Sequence, residues 1–166
     1  MKIAVNTRFL IKDKLEGIGW FTYEVLQRLV KLRPEDEFIF YFDRPFEEGF
    51  VLGENVTAVR LFPPARHPFL WYLWFEWALP KAMKRDGAEV FLSPDGYCSL
   101  TTKVPTIMVA HDIAHHHFPE QVPFLARLYY NYFIPRYLKK ADRIITVSAF
   151  TKKDIETSYG IDSEKI

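Results

Sequence analysis

Cysteine is nearly missing from this sequence. Cys98 stands alone, so no disulfide can form within the chain, and a reducing compartment fits better than a secreted one. An excess of one charge is missing too: 22 Lys and Arg against 21 Asp and Glu leave a formal net charge of +1. That balance argues against the broad phosphate-neutralising surface that binding to nucleic acid needs. The most apolar stretch, Phe69 to Trp77, is too short to span a bilayer. The opening residues Met1-Lys2-Ile3-Ala4-Val5-Asn6 read as a buried strand and lack the apolar region and cleavage site of a signal peptide, so the expected location is the cytoplasm. Repeats and low-complexity segments are also lacking.

What is present suits one globular domain. With 166 residues, 49% of them hydrophobic and 26% charged, the chain can bury a core without disulfides or metals. Branched and aromatic runs at Lys2 to Asn6, Phe38 to Asp43, Val56 to Phe62, Glu89 to Leu92, Thr106 to Ala110 and Arg143 to Val147 predict strands. Several are apolar throughout, the pattern of parallel strands covered on both faces. From Gly17 to Leu32, apolar residues at Ile18, Phe21, Val25, Leu29 and Leu32 form the stripe of an amphipathic helix. Further helices are expected at 69–85, 123–140 and 150–159, the last closed by Gly160. Alternating strands and helices imply an α/β fold, a Rossmann-like doubly wound and mainly parallel sheet, with ligands outside the carboxyl ends of the strands. Residues Ile161 to Ile166 read as the start of another strand that then stops, so the expectation is a chain cut short of a further domain.

Two loops carry chemistry. Gly17-Ile18-Gly19 opens the first helix, where glycine lets the backbone approach a phosphate and the free N–H groups favour an anion. Loop entry into a closely packed helix explains the same glycines. A dinucleotide reading with Asp43 as the ribose-binding acid is opposed by Thr22 in place of the third glycine and by the long loop before Gly17. The second loop, His111-Asp112-Ile113-Ala114-His115-His116-His117, follows the fifth predicted strand. Neighbouring histidines in one loop do not make a tetrahedral metal site, and no second Cys/His cluster exists. His111 at the strand end is placed to donate a hydrogen bond to a sugar hydroxyl or to developing charge, or else to be satisfied by backbone. Ser148 suits the N-cap of the last helix.

Taken together, Glu16-Gly17-Ile18-Gly19-Trp20-Phe21-Thr22, Ser93-Pro94-Asp95, Val109-Ala110-His111-Asp112-Ile113 and Ala141-Asp142-Arg143-Ile144-Ile145-Thr146-Val147-Ser148-Ala149-Phe150-Thr151-Lys152-Lys153-Asp154-Ile155 resemble retaining glycosyltransferases of family 4, with the GT-B fold. The resemblance runs from Met1 to Ile166, which would be the N-terminal, acceptor-side domain. It implies transfer of a sugar, often mannose or glucose, from a nucleotide-diphosphate donor such as GDP-mannose or UDP-glucose to a saccharide or lipid-linked acceptor. It implies no cofactor and no metal. By resemblance, Gly17 and Gly19 face the donor phosphates, and His111 contacts the transferred sugar near its reacting carbon. The same resemblance implies a C-terminal nucleotide-sugar-binding domain that this sequence does not contain, so the chain alone is expected to be inactive.

Arg8, Asp95, Tyr97 and Asp112 lie near predicted strand ends and are candidates to line an acceptor pocket. The aromatic segment Phe69 to Trp77 admits three readings: a buried helix, an interfacial helix dipping into the inner face of a membrane with Lys81, Lys84 and Arg85 nearby, or a stacking platform for sugar. Pro80 is expected to kink this helix or end it. The rival functions are a stand-alone carbohydrate- or protein-binding module, and an NAD-dependent oxidoreductase domain.

Overall fold

The computed structural model describes the whole chain, Met1 to Ile166. Its centre is a six-stranded sheet of β1 (Lys2–Asn6), β2 (Glu37–Phe42), β3 (Val56–Arg60), β4 (Val90–Ser93), β5 (Thr106–Ala110) and β6 (Arg143–Thr146). The strands lie in the order β3-β2-β1-β4-β5-β6, and every neighbouring pair is parallel. The expected doubly wound α/β fold is therefore present. The order reverses between β1 and β4, and at this switch point the loops leaving the two strands part and open a crevice.

Alternation sorts the strand residues onto two faces. Ala4, Ile39, Tyr41, Phe91, Met108 and Ile144 join the larger core. It is covered by the helical segments α2 (Pro68–Leu73) and α3 (Leu79–Asp86), by α5 (Phe124–Lys140), and by α6 (Ala149–Tyr159) through Ile155. Ile3, Val5, Phe38, Phe40, Phe42 and Leu92 form the smaller core, under α1 (Gly17–Leu32) through Leu26 and Val30. Cover is incomplete on this second face, where Ile145 of β6 stays half exposed.

Helix α1 corrects the expected stripe. Its buried residues are Gly19, Thr22, Leu26 and Val30, one position on from Ile18, Phe21, Val25 and Leu29, and the expected Leu32 is largely exposed. Small residues let the helix seat closely. A Cβ on Gly19 would stand 2.8 Å from the Phe9 carbonyl oxygen, so the side nearest the fold has no room for the larger residues. Val25 and Leu29 line an apolar groove beside the helix instead.

The second predicted helix spans 68–86 without ending at Pro80. Between α2 and α3 the backbone widens into a π turn, Trp74–Ala78, and Pro80 falls at the start of α3. Proline at 80 removes the N–H that an α-helix would direct at the Glu76 carbonyl. Thr101 Oγ donates to that carbonyl instead, at 2.8 Å. Helix α6 is capped as expected: Ser148 Oγ accepts from Thr151 N at 3.0 Å, and Gly160 closes it at φ 62°. A short helix that the sequence did not announce, α4 (Ala114–His117), occupies the histidine loop. The expected strand at 161–166 is absent; Ser163–Lys165 forms one 3-10 turn, begun when Asp162 Oδ1 accepts from Glu164 N at 3.0 Å.

A candidate acceptor cleft at the switch point

The loop after β1 and the loop after β4 are tied together by polar side chains. Asn6 Nδ2 donates to Ser93 Oγ at 3.2 Å, and Ser93 Oγ donates to Asp95 Oδ1 at 3.2 Å. Asp95 Oδ1 also accepts from Tyr97 N at 3.2 Å, and Asp95 Oδ2 accepts from Arg8 Nε at 2.6 Å. Both members of this ion pair are buried. Burial alone would lower the Arg8 pKa, but the Asp95 carboxylate, with Tyr97, outweighs it and holds the guanidinium charged. Tyr97 lies face-on beneath that guanidinium, its ring centre 3.9 Å away. Burial pushes the Tyr97 phenol well above its ordinary pKa against the opposing pull of Arg8, so it stays a neutral donor, to Tyr130 Oη at 3.1 Å.

His111 ends β5 and reaches the same loop: its Nε2 lies 2.8 Å from the Pro94 carbonyl oxygen. A carbonyl only accepts, so Nε2 carries the proton. Nδ1 has no protein partner, and in the neutral ring it is an acceptor. The neutral imidazole therefore offers the cleft an acceptor at Nδ1, where the sequence suggested a donor. Phe21 of α1 packs edge-to-face on the ring at 4.9 Å, and Thr151 Oγ1 donates to the His111 carbonyl at 3.1 Å, which fixes the strand end from two sides. His111, Asp95, Tyr97, Phe9 and Tyr130 line a cleft of about 230 Å³.

Of the other histidines, His115 also lines this cleft, and both His115 and His117 bond to α6. His117 Nε2 pairs with both Asp154 oxygens at 2.9 Å, and His115 Nε2 shares a hydrogen bond with Tyr159 Oη at 3.2 Å. These bonds tie α4 to α6. Burial lowers the His115 pKa. Asp112 is exposed, and its Oδ1 accepts from Ala114 N at 2.9 Å, which starts α4.

The two glycines separate in role. Gly19 is buried and needed for packing, as its clash distance shows, whereas nothing lies within 4 Å of a Cβ placed on Gly17. Gly17 is exposed at the N-terminus of α1, whose cap residue Glu16 makes no capping bond and whose first turn has no acidic side chain. Asp43, weighed above as a ribose ligand, is occupied: Oδ1 and Oδ2 accept from Arg44 at 2.6 and 2.8 Å, and Oδ2 also accepts from Ala65 N at 2.9 Å.

Of the candidates named from the sequence, the fold gathers Arg8, Asp95, Tyr97 and His111 at one edge, and Asp112 lines the same cleft. Sequence reading missed Phe9, Trp71 and Tyr130. Phe9 adjoins Arg8 at the switch point and was within reach of the topology argument; Trp71 and Tyr130 sit among many aromatic residues, and only packing singles them out.

The family described as Glycosyltransferase Family 4 matches residues 15–166. The O-antigen chain mannosyltransferase RfbU of Salmonella typhimurium (strain LT2) is 26% identical over 99 residues, which are 60% of this chain and 27% of that protein. The solved structure of a lipopolysaccharide outer core galactosyltransferase, WaaB, in its apo form superposes on all of this chain with a TM-score of 0.59 at 13% identity, and 44% of that protein is covered. The chain thus spans less than half the length of either relative. With a family match over nearly its full length and the N-terminal architecture of a GT-B protein, this chain belongs to glycosyltransferase family 4.

Proposed function

We propose that this chain forms the acceptor-side domain of a glycosyltransferase that moves a hexose, mannose or glucose, from a nucleotide-diphosphate donor to a saccharide or lipid-linked acceptor, with retained anomeric configuration. The observation that carries the reading is His111, held on the Pro94 carbonyl at the carboxyl edge of the sheet, with one ring nitrogen free beside a cleft lined by Tyr97 and Tyr130. Aromatic faces suit a sugar ring, and the free nitrogen accepts a hydroxyl proton. In this reading the exposed N-terminus of α1 at Gly17 faces the donor phosphates, Gly19 keeps the helix seated there, and Arg8, Asp95 and Tyr97 shape the acceptor side.

The nucleotide would be held by a second domain outside this sequence, consistent with the greater length of the relatives. Leaving charge on a diphosphate needs positive groups around it, and helix N–H donors alone supply too little. The working location is the cytoplasmic side of a membrane, through peripheral contact. No helix of the chain is long and apolar enough to cross a membrane. Helix α5 does present Phe124, Leu128 and Tyr132 to solvent at four-residue spacing, which suits an interfacial surface.

The test is sugar transfer from a panel of GDP- and UDP-sugars by this chain and by the longer protein that contains it. Turnover by the longer protein alone, with products of retained configuration, is the expected result, and His111→Ala there should lower kcat by about a hundredfold if the histidine contacts the reacting sugar. Saccharide binding by this chain without turnover by either would favour a binding module.

A further inference from the structure

The acceptor cleft does not stop at Tyr97. A second cleft of about 210 Å³ shares Phe9, Tyr97 and Tyr130 with the first, so the two are one groove that continues from the switch point toward the end of β2. Its far part is lined by three arginines, Arg8, Arg44 and Arg66, with Trp71. A guanidinium has five N–H donors. Arg8 is 5% exposed and spends one of them, from Nε, on Asp95; Nη1 and Nη2, beside the Tyr97 ring face, make no hydrogen bond to the protein and are not fully buried, so they reach the groove. Donors that open on the groove without a protein acceptor are available to an anion there.

Charge points the same way. Arg8 is offset by Asp95 and Arg44 by Asp43, while Arg66 is exposed and has no acidic partner, so the groove end carries one net positive charge. Tyr130 accepts from Tyr97, leaving its own O–H directed to no protein atom. Trp71 and Tyr130 stack with ring planes 4° apart, Trp71 lining the arginine end and Tyr130 lining both ends.

We infer that the acceptor is a sugar phosphate or a lipid-linked sugar phosphodiester, its phosphoryl group held by Arg8 and Arg66 and its ring lying along Trp71 and Tyr130 toward His111. This inference rests on the acceptor-domain reading above. Arginine forks fit phosphoryl oxygens, and the Asp43 and Asp95 carboxylates hold two of the three forks in place.

The experiment is calorimetric titration of this chain with the 1-phosphates of mannose, glucose and N-acetylglucosamine, their methyl glycosides, their dodecyl phosphodiesters and inorganic phosphate. At least one phosphorylated sugar should bind about tenfold tighter than its methyl glycoside, the gain of a charge-assisted contact. Arg66→Ala, at an exposed position, should remove most of that preference without unfolding the chain, and Arg8→Lys, which keeps the charge beside Asp95, should weaken it. Tighter binding of the dodecyl diester or of the free monoester identifies which source the groove prefers. Equal binding of phosphorylated and methyl sugars would remove the phosphate and leave the acceptor reading standing. Inorganic phosphate binding as tightly as every sugar phosphate would overturn the acceptor reading, and no binding at all would overturn both.

Discussion

At the scale of single residues, Arg8–Asp95 is the ion pair in which both side chains are buried. Removing Asp95 leaves a desolvated guanidinium without its counter-charge, so Asp95→Ala should lower unfolding free energy by about 3–5 kcal/mol, whereas Arg8→Met with Asp95→Leu should recover most of it. Urea unfolding of these two variants beside the unaltered chain checks this; a cost below about 1 kcal/mol for the single change would show that water reaches the pair. The two glycines make a sharper contrast. Gly19→Ala forces a Cβ against the Phe9 carbonyl and should cost about 1–3 kcal/mol, while Gly17→Ala meets open space and should leave stability nearly unchanged. Both would be expected to impair transfer if the α1 N-terminus faces phosphate, but only Gly17→Ala would do so in a fully stable protein.

His115 and Cys98 report the same burial by titration. Burial lowers the folded His115 pKa below its ordinary 6.5; Asp112 opposes that, and His116 and His117 reinforce it. The unfolded chain therefore binds the proton more readily. The contribution of His115 to stability is complete above 6.5 and is lost as pH falls through the lower folded value, so His115→Gln should flatten the acid limb of stability against pH. The buried Cys98 thiol is pushed up to about 12, and it should resist iodoacetamide at neutral pH until the chain unfolds.

At the scale of elements, the helical run 68–86 shows how one residue reshapes a helix. Pro80 could not have been placed correctly from propensity, because its continuation depends on a π turn and on a side chain from a loop far along the sequence. The Glu76 carboxylate anchors the same loop, accepting from Leu100 N at 3.1 and 3.0 Å and from Thr101 N at 3.1 Å. Thr101→Val should strand the Glu76 carbonyl and cost about 1–3 kcal/mol. Pro80→Ala restores an N–H aimed at that carbonyl, so the double variant should lose less than the sum of the single changes in thermal unfolding. Strand existence was legible throughout because branched and aromatic runs are local. The α1 stripe was misplaced by one position because Gly19 and Thr22, which carry no hydrophobic signal, occupy the closest approach.

At the scale of the whole molecule, the surface is uneven. Phe69, Trp77, Phe118, Phe124, Leu128 and Tyr132 are all exposed, and Arg127 and Arg136 lie over the rings of Phe124 and Tyr132 at 5.6 and 3.7 Å. The aromatic segment read three ways in the sequence is divided by the fold: Trp74 and Phe75 are core, Trp71 walls the groove, and Phe69 and Trp77 face outward. If the outward residues seat on lipid, this chain should cosediment with phosphatidylglycerol vesicles better than with phosphatidylcholine ones, and Phe124→Ser with Leu128→Ser should abolish the bound fraction. Unchanged binding by that double variant would assign the contact elsewhere.

By itself the sequence determined the class of fold and which loops leave the carboxyl edge of the sheet, since periodicity, glycine turns and strand-end loops are all read from neighbours along the chain. It also placed Arg8, Asp95, Tyr97 and His111 near that edge. Only the tertiary structure decided that Asp95 holds Arg8, that His111 offers Nδ1 and not Nε2, and that Arg44, Arg66, Trp71 and Tyr130 extend the cleft into one groove. Those facts join residues far apart in the chain. They follow from which strands become neighbours and how closely the helices seat on them, and no local pattern encodes either.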